Sequence, residues 1–289
     1  MHLFKLSVAL AFAATATAHE PTIEQREAMI KARPFLDHCQ AHFKEEEYTQ
    51  QTAKRNLENI GRAKVVYGLE DVEWNDVSMV EMFGESGICH LTPEEDIGPL
   101  YVGKQHIRSD LRDGQQGVPL HLEIQVVNIK TCEPIENAYI DFWAANATGI
   151  YSAVLDFPGN GNPADRDLIN KHHGRGVQPT DVDGIAHFLV NVPGHYVGRA
   201  THMHIGVHHN VKEVNNGTAI KGGHVSHIGQ LYMDQMLLQA IESVYPYNTN
   251  LSPWTMNSDD AHFLHAATGG DPVLRYALLG SNVANGMYA

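Results

Sequence analysis

From about residue 118 onward the chain consists of short apolar runs separated by turns rich in Gly and Pro. Within 118–129, Leu120, Leu122, Ile124 and Val126 alternate with other residues, which is the period of a strand with one buried face. Five more runs share the short length and the β-branched and aromatic content of strands: 138–146, 185–192, 201–209, 227–233 and 273–279. Several short strands without long helices between them predict a mainly β domain, a sandwich or a barrel.

The stretch 156–183 lacks this alternation. It contains four Gly and many Asp and Asn residues, so we predict a long loop. Loops of this length in compact domains usually carry function.

The preceding segment, residues 19–85, has a different pattern. Apolar side chains recur at roughly helical spacing between Met29 and Phe43, and Pro34 should divide the segment into two helices. The sequence therefore predicts a short helical N-terminal region followed by a mainly β domain, a sandwich or a barrel, over residues 86–289.

Residues 1–18 have the three parts of a secretory signal peptide. A basic start ending at Lys5 is followed by an apolar run over 6–14 and by a small-x-small cleavage site at 16–18. The apolar run is too short to cross a bilayer, and no later stretch is long enough either. We expect a secreted, extracellular protein without a membrane segment, and a mature chain that starts at His19.

Secretion makes the three cysteines candidates for a disulfide bond. Cys89 and Cys132 lie at the edges of the predicted β domain, whereas Cys39 lies in a predicted helix. We favour a Cys89–Cys132 bridge, with Cys39 buried or unpaired. The same compartment makes the sequons at Asn146, Asn216 and Asn250 candidates for glycosylation.

Charge and histidine content change the picture in two ways. Asp and Glu number 34 against 20 Lys and Arg, a formal net charge of −14. A chain this acidic repels a phosphate backbone, which excludes nucleic acid as a favoured partner. There are also 19 histidines, and because imidazole is the commonest metal ligand, their density points to a metal.

The most informative histidines are His202 and His204. They lie two positions apart on a predicted strand, so both side chains point to one face and can reach one ion. Such a pair arises by chance in a histidine-rich chain, but its setting is distinctive: Tyr196 follows a Pro-Gly turn, and Arg199 lies three residues before the first histidine. A second segment ends a predicted strand in a Gly turn that presents Tyr151.

Together these segments resemble the intradiol ring-cleavage dioxygenases, the family of catechol 1,2-dioxygenase and protocatechuate 3,4-dioxygenase, and most of all its secreted fungal-type branch. The resemblance covers about residues 91–279, and the order and spacing of five motifs make it specific. The matching segments are 91–94 with 98–101, 141–152, 175–176 with 180–184, 196–204, and 230–232.

The resemblance implies that residues 86–289 form a β-sandwich catalytic domain. It also implies a non-haem Fe(III) ion held by Tyr151, Tyr196, His202 and His204. Phenolate is a hard donor suited to a hard ferric ion. A tyrosine with an ordinary pKa of about 10 stays ionised at neutral pH only beside a strongly acidic cation. The donor set argues against Zn(II) and against an Fe(II) site of two histidines and one carboxylate.

The resemblance also implies the reaction, in which O2 attacks a bound catechol-type diol and the ring opens between the two hydroxyls to a cis,cis-muconic acid. Tyr196 would leave the metal and accept a substrate proton. Arg199 would stabilise the developing carbanion, and Gln230 matches a glutamine near the substrate. The helical region is a candidate contact for a homodimer.

Two positions depart from the family pattern, and both bear on the substrate. The family often has a pocket-lining tyrosine where this chain has Leu100, and a histidine where it has Ala144. Two alternative functions remain open at this point: a copper enzyme that uses the amino group and imidazole of His19, and a secreted metal-binding protein without turnover.

Overall fold

The structure is a computed structural model that describes residues 39, 46–69, 91, 94–103, 105–155, 157 and 160–289. The predicted signal peptide, His19, Pro34 and Cys89 lie outside the described residues, and so do two residues of the first family motif, Thr92 and Pro93.

In the described part the chain forms three α-helices, ten strands and several short 3-10 turns. The helices are α1 (Glu46–Val66), α2 (Gln235–Glu242) and α3 (Ala261–Ala266). The strands are β1 (Pro119–Gln125), β2 (Tyr139–Trp143), β3 (Arg175–Pro179), β4 (Ile185–Asn191), β5 (His202–His209), β6 (Lys212–Val214), β7 (Ala219–Lys221), β8 (His224–Tyr232), β9 (Ala277–Leu278) and β10 (Met287–Tyr288).

Eight of these strands form two four-stranded sheets, in the orders β4-β1-β10-β9 and β3-β2-β5-β8, and β6 and β7 form a separate hairpin. One pair, β1 and β10, is parallel, and the other pairs are antiparallel. The apolar faces of the two sheets pack on each other. Their shared core includes Leu120, Leu122, Ile140, Phe142, Phe188, Met203, Ile205 and Leu231. The prediction of a β-sandwich is confirmed.

Two strand predictions need correction. Arg175–Pro179 lies inside the predicted loop 156–183 but forms β3, the first strand in the order of the second sheet. A proline is tolerated there because it is the last residue of an edge strand. The predicted last strand, 273–279, is reduced to Ala277–Leu278, because Val273 bridges to Tyr232 of the other sheet. The chain therefore crosses between the sheets there, and Met287–Tyr288 adds a final strand.

Helix α1 confirms helical structure before the sandwich over Glu46–Val66. Its buried Ile60 and Ala63 pack against Tyr288 and neighbouring side chains of the first sheet. Arg55 pairs with Glu123 of β1 at 2.7 Å. None of the helices that the structure describes is long and apolar enough to cross a membrane.

The disulfide joins Cys39 to Cys132, so the favoured Cys89–Cys132 pairing is wrong. Cys132 lies in the turn that follows β1, with its amide bonded to the carbonyl of Asn128. The helical Cys39 is buried against this turn although it is 93 residues away in sequence. Pairing depends on which segments meet in space, and proximity along the chain could not predict this contact.

Candidate active site

One row of side chains crosses the second sheet on the face that points away from the sandwich core. The strand register places Arg175 of β3 beside Trp143 of β2, Trp143 beside His204 of β5, and His204 beside Gln230 of β8. Along β5, Met203 enters the core, so the residues on either side of it take the opposite face. The site therefore lies on the outer face of this sheet.

His202 and His204 present nitrogen atoms to one point. Their Nε2 atoms are 3.0 Å apart. The Nδ1 atom of His202 lies 2.7 Å from the carbonyl oxygen of Ala200, which makes Nδ1 the protonated nitrogen and leaves Nε2 with a lone pair. Burial, together with the nearby charge of Arg199, lowers the pKa of both imidazoles. Both histidines are neutral donors as a result.

An aromatic stack fixes the ring of His204. The indole of Trp143 lies parallel to it, with ring centroids 4.8 Å apart. Tyr101 meets Trp143 edge to face at 4.9 Å, and its hydroxyl donates a hydrogen bond of 2.9 Å to buried Asp141. The imidazole is therefore held in one plane by packing.

Tyr151 is completely buried, with 0% exposure. Its ring centroid lies 5.8 Å from that of Tyr196 and 6.4 Å from that of His204. Its hydroxyl has no hydrogen-bond partner among the described residues, and burial raises its pKa well above the ordinary value. A buried, unpaired hydroxyl is unfavourable unless a ligand satisfies it.

The turn before Tyr151 depends on Gly149, which has a φ of +79°. A Cβ atom at this position would overlap the carbonyl oxygen of His195. Only glycine both adopts this backbone conformation easily and allows the approach. The segment that carries Tyr151 therefore packs directly against the segment that carries Tyr196.

Tyr196 lies between β4 and β5 and is only partly buried. Its hydroxyl donates a hydrogen bond of 3.2 Å to Nε2 of His202. Burial raises the pKa of Tyr196 despite the opposing charge of Arg199. The structure thus brings together all four predicted ligands, Tyr151, Tyr196, His202 and His204.

These side chains fit a small cation of high charge. Two nitrogen ligands at right angles on an ion, each about 2.1 Å from it, are about 3 Å apart, which matches the 3.0 Å between the two Nε2 atoms. The unpaired hydroxyl of Tyr151 would gain a partner. In the described part of the chain no group of three His, Cys, Asp or Glu residues could hold a metal. The candidate centre is a mixed set of two phenols and two imidazoles.

Arg199 and Gln230 are the other predicted site residues, and they contact each other beside the four predicted ligands. The Nη2 atom of Arg199 donates to Oε1 of Gln230 at 2.5 Å and to the hydroxyl of Tyr232 at 3.1 Å. The Tyr232 hydroxyl donates to the same Gln230 oxygen at 2.9 Å. This network holds the guanidinium in one orientation.

Asp260 completes the network, and sequence reasoning missed it. Its carboxylate accepts from Nε of Arg199 at 3.0 Å and from the backbone amide of Ala200 at 2.9 Å. The same carboxylate caps α3 by accepting from the amide of His262 at 2.9 Å. Asp260 is 2% exposed. An Asp before a short apolar run predicts a helix cap, but no sequence signal connects it to Arg199.

Buried Arg175 lies behind Tyr151, with its guanidinium carbon 5.5 Å from the phenol ring centroid. It donates to the carbonyl oxygens of Leu100 and Ser152 at 2.7 and 3.0 Å, and burial lowers its pKa to about 10.

Ala144, where the family often has a histidine, belongs to the sandwich core. This departure from the family pattern therefore does not line the site.

The solved structures that are similar to this chain include two dioxygenases with comparable folds. The intradiol ring-cleavage dioxygenase from Tetranychus urticae is 28% identical, and the match covers 69% of this chain and 91% of that chain with a TM-score of 0.55. A second crystal structure, also of a dioxygenase, is 32% identical over 62% of this chain and 82% of that chain, with a TM-score of 0.51. No protein-family model matches the sequence, and no curated protein is significantly similar to it.

The fold, the five motifs and these two structures agree. The chain belongs to the intradiol ring-cleavage dioxygenase family, as the sequence predicts. It is therefore an oxidoreductase of the class that opens aromatic rings.

Proposed function

We propose that this protein is a secreted non-haem Fe(III) enzyme that cleaves a catechol-type diol with O2 between the two hydroxyls, giving a cis,cis-muconic acid derivative. The observation that carries the proposal is the convergence of two phenols and two neutral imidazoles on one point, with a fixed arginine beside them. When bound, Fe(III) would coordinate the diol oxygens and supply the Lewis acidity that makes the ring reactive toward O2.

Tyr151, Tyr196, His202 and His204 would hold the ion. Both phenols have raised pKa values, so they are protonated until a strongly acidic cation displaces their protons. Loading with iron should therefore release protons and weaken as the pH falls. The two imidazoles are already neutral, so they bind the ion without first losing a proton.

Tyr196 is suited to moving a proton. Tyr196 is only partly buried, and its hydroxyl already engages Nε2 of His202 at 3.2 Å. An incoming diol must lose its hydroxyl protons, and the Tyr196 oxygen would accept one of them. The completely buried Tyr151 would instead stay in place.

Arg199 would stabilise negative charge on the ring carbon that O2 attacks. Its charge is fixed before the reaction by Asp260, Gln230 and Tyr232, and such preorganised charge is worth several kcal/mol in a closed site. Gln230 uses its oxygen to hold Arg199, so we assign it a positioning role. Asp260 has the same role from the other side of the guanidinium.

Leu100 would give the substrate pocket an aliphatic wall. It is buried against Trp143 and Tyr151, where the family often has a tyrosine. Secretion is predicted from residues 1–18. Membership of the secreted fungal-type branch and the formation of a homodimer also stay predictions.

Oxygen uptake with a panel of catechols tests the function. We expect uptake with at least one diol, a muconic acid product identified by mass and ultraviolet spectrum, about one iron per chain, and a red-brown colour from ferric tyrosinate. An iron-loaded protein that consumes no O2 with any diol would support the metal-binding alternative. Copper in place of iron, with only weak colour, would support the copper alternative.

A further inference from the structure

The three N-glycosylation sequons lie in very different surroundings. At each, the atom that would carry carbohydrate is Nδ2 of the asparagine. The role of that atom in the folded chain therefore distinguishes the three sites.

Asn216 is exposed in the turn between β6 and β7. Its φ is +57°, a left-handed conformation that asparagine tolerates, and its side chain has no hydrogen bond to any described residue. The Thr218 hydroxyl donates to the carbonyl of Asn215. The hairpin contacts β2 through Glu213 and Tyr139, at the end of β2 opposite Trp143.

Asn250 has its amide nitrogen engaged. Nδ2 donates to the carbonyl oxygen of His195 at 2.8 Å, and Oδ1 accepts from the amide of Ser252 at 3.0 Å. His195 directly precedes Tyr196. A sugar on Nδ2 would have to fit between the 195 and 250 segments, where Gly149 also packs.

Asn146 supports the other tyrosine segment. Its Oδ1 accepts from the amides of Thr148 and Ile150, each at 3.0 Å, and its Nδ2 donates to Gln115 at 3.2 Å. The Ile150 amide directly precedes Tyr151. The side chain therefore closes the turn that presents Tyr151.

We propose that Asn216 is the carbohydrate acceptor, and that Asn146 and Asn250 instead brace the segments that carry Tyr151 and Tyr196. In the modification, Nδ2 of Asn216 forms a bond to the anomeric carbon of an oligosaccharide and loses a proton. The bond from that carbon to a lipid-linked pyrophosphate breaks, and the pyrophosphate leaves. The modification rests on passage through the secretory pathway, which is part of the proposed function.

Peptide mapping after enzymatic deglycosylation tests the acceptor. The protein is expressed in eukaryotic cells with its own N-terminus and, in parallel, behind a heterologous secretion signal. We expect carbohydrate on Asn216 alone in the secreted protein, and none in Asn216→Gln or Thr218→Ala, both with unchanged iron content and kcat. If the protein is secreted only behind the heterologous signal and not with its own N-terminus, secretion by residues 1–18 is refuted. An unmodified Asn216 in the second arm, or carbohydrate on Asn146 or Asn250, would overturn the assignment.

Asn250→Asp tests the brace, because it removes the Nδ2 donor but keeps Oδ1. Ser252→Ala is the matched control, since it destroys the sequon and keeps both hydrogen bonds of Asn250. We expect Asn250→Asp to lose iron to a chelator about 10-fold faster, the scale for a residue that orients a ligand, and the control to match the parent. Proteolysis within 193–200 of the metal-free protein should also be faster in Asn250→Asp. Equal proteolysis and equal iron loss in the two variants would overturn the brace.

Discussion

Tyr151 and Tyr196 have the same side chain and face the same point, yet their surroundings differ. Tyr151 is 0% exposed, and its hydroxyl has no partner in the described structure. Tyr196 is partly open to solvent beside Val197, which is 49% exposed, and its hydroxyl is bonded to His202. The difference indicates a fixed phenol and an exchangeable one.

The segments that carry the two tyrosines differ in the same way. Behind Tyr151, buried Arg175 donates to the carbonyl oxygens of Leu100 and Ser152, so it holds the backbone that directly follows Tyr151 in place. In the chain, Tyr196 is followed by a turn through Gly198, whose φ is +80°. A ligand that must yield to substrate is better placed on such a turn than in a packed interior.

The largest effect is expected from Tyr151→Phe. The change removes a buried metal ligand that no neighbouring group can replace. The variant should lose its iron and its tyrosinate colour, and its turnover should fall by about 10³-fold or more. Iron analysis and oxygen uptake measure this. The control is Tyr139→Phe, which removes a hydroxyl bonded to Glu213 at the far end of β2 and should change neither quantity.

Tyr196→Phe should fail differently. We expect it to retain part of its iron, bind catechol slowly, and turn over about 10²-fold more slowly, because a proton acceptor rather than an anchor is lost. Stopped-flow absorbance follows the appearance of the catecholate band. If Tyr196→Phe lost iron as completely as Tyr151→Phe, the two phenols would be equivalent, and the contrast between them would be wrong.

Arg199→Ala separates binding from chemistry on the Tyr196 side of the centre. Arg199 is not a ligand, so iron, colour and the catecholate complex should persist. Its kcat should fall by about 10²–10³, the scale of one lost charge-stabilising group. A variant as fast as the parent would make Arg199 a purely structural residue.

Asp260→Asn should have a smaller effect of about 10-fold on kcat, because Gln230 and Tyr232 still hold the guanidinium. The double variant with Arg199→Ala distinguishes positioning from general damage. If Asp260 acts through Arg199, the double variant should be no slower than Arg199→Ala alone. A further loss in the double variant would show that Asp260 acts by another route.

Local periodicity explains which parts of the site were predictable. The two-residue spacing of His202 and His204 determines their shared face, whatever the rest of the fold does. The two tyrosines required the family resemblance, because a Gly turn can present a side chain to any surroundings. Asp260 was not predictable by either route, since its contact with Arg199 exists only after α3 docks on the sheet.

The same limit applied to the fold. Alternation predicted β1 because the second sheet covers one face of this strand and the other face is only half-buried. Arg175–Pro179 has no such alternation, since its first three residues are all buried. The pairing of Cys39 was missed because it depends on how the helical region docks, which no local pattern encodes.

Breaking the disulfide should have the smallest effect on iron content and kcat. Its effect on the stability of the fold should be large. The bridged cysteines are 93 residues apart in sequence, so the chain-entropy relation predicts that Cys132→Ser lowers the free energy of unfolding by about 4.6 kcal/mol. Denaturant unfolding measures this. Iron content and kcat should stay within about twofold, because the cross-link lies in a turn outside the network of Tyr151 and Tyr196.

Cys39→Ser and the double variant with Cys132→Ser should match the single Cys132→Ser, because either change removes the same bond. Cys89→Ser is the matched control and should leave stability unchanged. A Cys89–Cys132 peptide in the non-reduced digest would contradict the observed pairing. A large loss of activity in Cys39→Ser would show that the helical region supports the exchangeable tyrosine, and the division between a braced centre and a remote cross-link would then be wrong.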